Sequence, residues 1–233
     1  MSYKIGIIGA MEIEVETLKK EMNIAKTETI ANMEFNEGIL GNTEVVVVKS
    51  GVGKVNAGIC VQILASVYHV THVINTGAAG SLEAKIDIGD FVVSTDAVYH
   101  DVDATIFGYK KGEVPQTGLR EFPADKWMIE KIKKAAETAD ISGKLWDGRV
   151  CSGDQFISDG AVKNGIKAEF DALCTEMEGA AIAHACYLNR IPFVILRAIS
   201  DKADGSDIVD YPEFEKKAAH DCAALTESFI KSL

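Results

Sequence analysis

The chain has 233 residues, 47% hydrophobic and 25% charged, proportions that exclude a disordered or collagen-like polymer. Its 35 acidic and 24 basic side chains leave a formal net charge of −11. Such a surface repels phosphate backbones and anionic lipid, which argues against nucleic-acid and membrane-surface partners and leaves a small neutral ligand open. The length is enough for one large core and fits one domain spanning residues 1–233.

Short apolar runs alternate with longer helical patterns along the chain. Tyr3–Ile8 reads as a buried strand and Ala10–Met22 as the helix after it. Met33–Leu40 and Thr43–Lys49 read as an antiparallel pair around the Gly41-Asn42 turn. Val55–Tyr68 reads as a helix, with Val55, Ile59, Gln62, Ile63 and Val67 spaced three or four apart. His72–Thr76 is a strand running into Gly77-Ala-Ala-Gly80, and Phe91–Ser94 is another. Thr95–Pro123 reads as a long irregular stretch carrying Phe107, Tyr109 and Pro115, of the kind that is functional or forms an interface. Asp125–Ala139 is a helix, Arg149–Ser152 a short strand and Ala161–Phe170 a helix. Leu173–Glu176 is a strand entering the helix Gly179–Leu188. Phe193–Ile199 is an almost wholly apolar strand, and Tyr211–Leu233 is the closing helix. Apolar strands alternating with helices predict a single α/β domain: a central mixed sheet flanked by helices on both sides.

Cys60, Cys151, Cys174, Cys186 and Cys222 are odd in number and form no C-x-x-C pair, so they read as buried thiols in a reducing compartment. The first residues run directly into Glu12, Glu14 and Glu16, unlike a secretory signal. No apolar run approaches the length of a membrane span. A soluble, cytoplasmic protein is the expectation.

Several motifs fall short of the chemistry they suggest. Gly6-Ile-Ile-Gly9 lacks the spacing of a dinucleotide turn. Gly51-Val-Gly-Lys54 lacks the first glycine and the closing hydroxyl of a P-loop, where Val48 and Val55 stand. His69 and His72 straddle a helix end and the next strand, and His100, Asp101 and Asp103 read as a polar loop. No metal site and no cofactor is expected.

The informative signal is three acids placed at strand ends. Glu14 lies in the first helical turn after Tyr3–Ile8, Glu178 follows Leu173–Glu176 at a helix start, and Asp201 ends the run from Phe193. Ligands of open α/β sheets bind beyond the carboxyl ends of strands. Taken singly, each acid could equally favour a helix dipole or cap a turn.

Six motifs occur in order: Gly9-Ala-Met-Glu-Ile-Glu14, Ser50-Gly-Val-Gly-Lys54, Asn75-Thr-Gly-Ala-Ala-Gly80, Ser152-Gly-Asp-Gln-Phe-Ile157, Glu176-Met-Glu178 and Arg197-Ala-Ile-Ser-Asp201. With them the chain closely resembles the 5′-methylthioadenosine/S-adenosylhomocysteine nucleosidases of the purine nucleoside phosphorylase-like superfamily, over essentially its whole length. The resemblance implies hydrolysis of the N-glycosidic bond between adenine and a 5-thio-substituted ribose. It implies that Asp201 protonates adenine N7 with Ser200 orienting it, and that Glu14 takes a proton from the attacking water. Glu178 would accept hydrogen bonds from the ribose hydroxyls, with Met177 packing on the sugar. Phe156 would stack on adenine, and the Ile157 backbone would read its edge. Arg197 would hold the acidic cluster that includes Glu176. Ala79 and Gly80 would line the substrate site, and Met11 and Tyr211 would lie near the ribose and thio-substituent. The family's members are homodimers, which would place Ala104, Phe107 and Pro115 beside the neighbour's thio-substituent pocket.

The reaction asks for these residue types on chemical grounds as well. Adenine leaves poorly as an anion, so a carboxylic acid that protonates it contributes about 10²–10⁴-fold. Carboxylates near the ribosyl fragment stabilise its oxocarbenium charge. An acid on one face and a base-activated water on the other is the logic of inverting glycosidases. Asn75 and Ala78 stand where phosphorolytic relatives tend to have an arginine and a serine that would grip phosphate, which favours water as nucleophile. Phosphorolysis, hydrolysis of 6-amino-6-deoxyfutalosine and noncatalytic nucleoside binding are the alternatives. An acid and a base retained together argue against the last of these.

Overall fold

A computed structural model describes residues 3–139, 141–203 and 211–233; the side chains of Tyr211 and Pro212 also lie outside the description. The elements follow in chain order: β1 (Lys4–Gly9), α1 (Glu12–Glu21), β2 (Asn23–Ile30), β3 (Met33–Leu40), β4 (Thr43–Lys49), α2 (Lys54–Ser66), β5 (His72–Ser81), β6 (Phe91–Tyr99), β7 (Phe122–Pro123), α3 (Lys126–Ala136), β8 (Leu145–Ser152), α4 (Gly160–Phe170), β9 (Cys174–Glu176), α5 (Gly179–Asn189), β10 (Phe193–Asp201) and α6 (Tyr211–Lys231). The domain is α/β, as expected from the alternating pattern.

The strands join in the order β10-β6-β8-β9-β5-β1-β4-β3-β2, with β7 beside β6. The pairings β1–β4, β1–β5, β5–β10, β6–β8 and β8–β9 are parallel, while β2–β3, β3–β4, β5–β9 and β6–β10 are antiparallel. Because β5 pairs with both β10 and β9, one end of the sheet closes into a ring of five strands, β5-β10-β6-β8-β9. The closure comes from the length of β5. Val73–Gly80 lies along β10, while its last residues, Gly80 and Ser81, turn to Thr175 and Cys174 of β9. All nine residues of β10 are buried, as a strand covered on both faces requires.

The helices α1, α3 and α6 form one packed group, with α6 lying on β5 and β10; α2 and α5 form another, with α5 against β6 and β8. Helix starts use side-chain acceptors for orphan amides. Asp125 accepts from Met128 N at the start of α3, and Asp159 from Ala161 N and Val162 N at the start of α4. A smaller apolar cluster of Leu82, Val98, Cys151, Ile157, Ile166, Phe170, Ala172 and Ala203 joins α4 to the sheet.

Three local expectations need correction. Asn23–Ile30, unread in the sequence, is the edge strand β2. It is mostly exposed along its length, so it shows no apolar alternation. Thr95–Pro123 is not wholly irregular: β6 continues to Tyr99, Phe122 pairs back with Ala97, and a single 3-10 turn covers Thr105–Phe107. The spacing read in α2 falls mostly on its outer side, with Ile63 partly buried against the core. Ala57, Cys60, Val61 and Leu64 are buried, whereas Val55, Ile59 and Val67 are exposed. Small residues made the true inner face less conspicuous than the outer one.

Candidate active site

The ends of β1, β5, β9 and β10, the turn before α2 and the segment after β8 surround one cavity of about 230 Å³. Glu14, Glu176, Glu178 and Asp201 line it, and all four are buried. Arg197, 1% exposed, lines the cavity beside them.

Glu14 enters from α1. Met11 is the helix N-cap, and the Glu14 side chain reaches back to its backbone amide, one half of a capping box. Its Oε2 accepts from the amides of Ala10 at 2.7 Å and Met11 at 2.9 Å, and its Oε1 from the amide of Ala78 at 3.0 Å. Gly77 makes this approach possible, since a Cβ there would collide with Glu14 Oε1 and Arg197 Nη1. Burial pushes the Glu14 carboxyl above its ordinary pKa, with Arg197 and the three amides acting the other way.

Arg197 projects from β10 into the carboxylates. Its Nη2 pairs with Glu176 Oε2 and lies 3.5 Å from Glu178 Oε2, and its Nη1 lies 3.8 Å from Glu14 Oε1. Asn75 supports it from β5: Asn75 Oδ1 accepts from Nη2 at 2.5 Å, while Asn75 Nδ2 donates to the Ile8 carbonyl at 3.0 Å. Burial alone would lower the guanidinium's pKa; Glu176, Glu14 and Glu178 together raise it above its ordinary value.

Glu176 and Glu178 bracket the start of α5. Glu176 accepts from the amides of Glu178 and Gly179 and from the Ser152 hydroxyl, which itself accepts from the Ala180 amide at 2.7 Å. Glu178 Oε1 accepts from the Gly53 amide at 2.8 Å. Burial, followed by the charge of Glu176, pushes Glu178 up to about 7, against Arg197 and the Gly53 amide.

Asp201 ends β10 and lines the same cavity. Ser200 Oγ donates to its Oδ1 at 2.8 Å, and the Ala203 amide donates to Oδ2 at 2.8 Å. Met11, Ala79, Gly80, Phe156, Ile157, Met177 and Ser200 also line the cavity. Phe156 is 52% exposed and Ile157 is buried. Tyr211 opens α6, but its side chain lies outside the described residues. Ala104, Phe107 and Pro115 do not line this cavity; Phe107 is 80% exposed and Pro115 is exposed.

Val52, Gln155, Thr175 and Glu215 line the cavity without having been singled out as site residues. Val52 and Gln155 stood inside recognised motifs. Thr175 and Glu215 carried no local signal. Asn75 and Ser152 act from outside the cavity, through Arg197 and Glu176.

A sheet closed at one end, with a guanidinium among three buried carboxylates and a fourth in the same cavity, defines a class, and the family model described as the Phosphorylase superfamily matches residues 4–231. A 5′-methylthioadenosine/S-adenosylhomocysteine nucleosidase of Halalkalibacterium halodurans is 43% identical over 231 residues, 99% of each chain. The crystal structure of that nucleosidase from Neisseria meningitidis, in complex with methylthio-immucillin-A, superposes with a TM-score of 0.94 at 38% identity and covers 99% of both chains. Its counterpart from Colwellia psychrerythraea, in complex with adenine, gives 0.95 at 37% identity over 100% of this chain and 96% of that one. The chain belongs to the 5′-methylthioadenosine/S-adenosylhomocysteine nucleosidase family within that superfamily.

Proposed function

We propose that this protein hydrolyses the N-glycosidic bond of 5′-methylthioadenosine and S-adenosylhomocysteine, releasing adenine and the 5-thio-substituted ribose. The observation that carries the reading is the charge of the cavity: Glu14, Glu176 and Glu178 share one guanidinium, and Asp201 lines the same cavity. An excess of buried carboxylates stabilises a ribosyl fragment that becomes positive as the bond breaks.

In this reading Asp201 gives its proton to adenine N7 while the electron pair of the C1′–N9 bond passes to the base. Glu14 takes a proton from the water that bonds to C1′, so one carboxyl loses a proton and the other gains one. Solvent exchange restores both. Ser200 orients Asp201 through its 2.8 Å hydrogen bond. Glu178 binds the ribose hydroxyls, Arg197 and Glu176 hold it in place, and Met11, Met177, Ala79 and Gly80 line the pocket. Phe156 stacks on adenine and the Ile157 backbone reads its edge. Tyr211 is assigned to the thio-substituent.

Water is favoured over phosphate by the same geometry. The amides of Ala10, Met11 and Ala78 could have formed an anion cradle, but Glu14 occupies all three. Asn75 is buried behind Arg197. A phosphate entering here would meet carboxylates with no cation left uncommitted among the described lining residues.

We further propose a homodimer in which Ala104, Phe107 and Pro115 reach the partner's thio-substituent pocket. Ile106 and Phe107 are 88% and 80% exposed, and Val55, Ile59, Tyr187 and Leu188 form exposed apolar surface on the adjoining helices α2 and α5. Contiguous apolar surface of this kind marks an interaction site. No helix among the described residues is long and apolar enough to cross a membrane, and the five cysteines are free and buried; we place the protein in the cytoplasm.

The test is release of free adenine from 5′-methylthioadenosine and from S-adenosylhomocysteine, followed while phosphate is titrated in from zero. Release independent of phosphate is expected. No release, or release only with phosphate, would refute the reading.

A further inference from the structure

The turn before α2 contributes two consecutive amides to two different carboxylates. Gly53 N–H donates to Glu178 Oε1 at 2.8 Å, inside the cavity, and Lys54 N–H donates to Asp154 Oδ1 at 2.9 Å, outside it. These are orphan donors of a helix start, and they are rigidly linked because they belong to neighbouring residues. Gly53 has φ +96°, a conformation that side-chain-bearing residues rarely adopt and that glycine takes without steric cost.

What holds the turn is a junction of three segments. Lys54 Nζ lies 2.5 Å from Asp101 Oδ2 and 3.7 Å from Asp154 Oδ2. The same Asp101 oxygen accepts from the Asp154 amide at 3.0 Å. Lys54 Nζ also sits 5.5 Å from the centre of the Tyr99 ring, a cation–π distance. The Lys54 and Asp101 side chains are 23% and 17% exposed, so their pair is less screened than an open surface salt bridge. Asp101 follows β6, and Asp154 follows β8 and directly precedes the cavity residues Gln155, Phe156 and Ile157.

We propose that Lys54 is a positioning residue: its ion pair with Asp101 fixes the turn that holds Glu178 and ties it to the segment carrying Phe156 and Ile157. Neither Lys54 nor Asp101 lines the cavity. They act through the Gly53 amide and the Asp154 backbone. The inference rests on the proposed role of Glu178 at the ribose and adds to it a site, outside the cavity, that sets its geometry.

Glu178 faces Glu14 from α1, Glu176 from β9, Arg197 from β10 and the amide of Gly53. Of these, Arg197 and the Gly53 amide favour the ionised carboxylate. Loosening the turn withdraws one of the two, so Glu178 protonates at higher pH.

The experiment compares Lys54→Met and Asp101→Asn with the wild-type chain, using adenine release from 5′-methylthioadenosine. Each substitution keeps much of the side-chain shape and removes the ion pair. Each should raise KM by about tenfold, the effect of one lost charge-assisted hydrogen bond, with a smaller change in kcat. The acid limb of kcat/KM should move to higher pH. The double variant should be no worse than the poorer single, because both residues act through one junction. Lowered thermal stability with KM and the acid limb unaltered in either variant would overturn the proposal, as would fully additive losses. Asp101→Asn carries the test if Lys54→Met fails to fold. A wild-type chain that releases no adenine would bring down the proposed function and this inference with it; wild-type release with unaltered variants would bring down this inference alone.

Discussion

Ala78 N–H donates to Glu14 Oε1 at 3.0 Å, which ties the middle of β5 to the first turn of α1. Together with the amides of Ala10 and Met11 on Oε2, it leaves Glu14 with three donors and no freedom to rotate. A group held this way is already oriented when water arrives.

Glu14→Gln should therefore cost more than a missing base. Whichever way the amide turns, its NH₂ meets at least one backbone N–H. We expect kcat to fall by at least about 100-fold, with a measurable drop in thermal stability. Steady-state adenine release and a melting curve check both, and near-normal kcat would remove Glu14 from its role.

Asp201→Asn keeps an oxygen for the Ala203 amide and turns its NH₂ to the Ser200 hydroxyl, which can accept, but it has no acidic proton to give. We expect kcat to fall by at least about 100-fold while adenine still binds. Calorimetric titration with adenine separates the two effects. Loss of adenine binding alongside kcat would point to a structural rather than an acid role.

Glu178 gives opposite pH dependences for stability and function. Its carboxyl is raised from the ordinary glutamate range to about 7 by burial and Glu176, so the folded state binds a proton more tightly than the unfolded chain. The resulting stability is fully present below the unfolded pKa and is lost as pH rises through about 7. Thermal stability should decline from pH 6 to pH 8, less steeply in Glu178→Gln. If the ionised form binds ribose, kcat/KM of the wild type should instead fall as pH drops below about 7. A pH–rate profile flat across that range would contradict the assignment.

Phe107 is 80% exposed and is expected to lie in the partner's pocket. Phe107→Ala should weaken ligands with a 5′-thio-substituent by roughly 1–3 kcal/mol and leave adenine binding unchanged. Ultracentrifugation should give about twice the chain mass, reduced towards one chain by Val55→Glu on the exposed side of α2. A fully active monomer would refute the shared site.

Much of this arrangement was legible from residue order. β10 and β1 are dense apolar runs, and Asp201 at the end of one and Glu14 beyond the other read as strand-end groups from residue order alone. The six motifs brought Glu14, Glu178, Asp201, Phe156 and Arg197 into one expectation, and all five line the same cavity. Long-range pairing was not legible. Nothing local at Gly80 announces that it pairs with both Thr175 and Asp201, yet those pairings close the sheet. β2 was missed because an exposed edge strand has no apolar face to alternate. Which side of α2 is covered was not legible, because Val55 and Ile59 are larger than Ala57 and Cys60 and periodicity weighs apolar residues without showing which side is buried. The roles of Asn75 and Ser152 depend on contacts with Arg197 and Glu176, residues more than 20 positions away.

The central claim is that a carboxylate-lined cavity sends water, rather than phosphate, to the sugar. It is tested most directly by mass spectrometry of the sugar released from 5′-methylthioadenosine in saturating phosphate. The account predicts free 5-methylthioribose as the only sugar product, at a rate unchanged from phosphate-free buffer. A 1-phosphorylated sugar would contradict it.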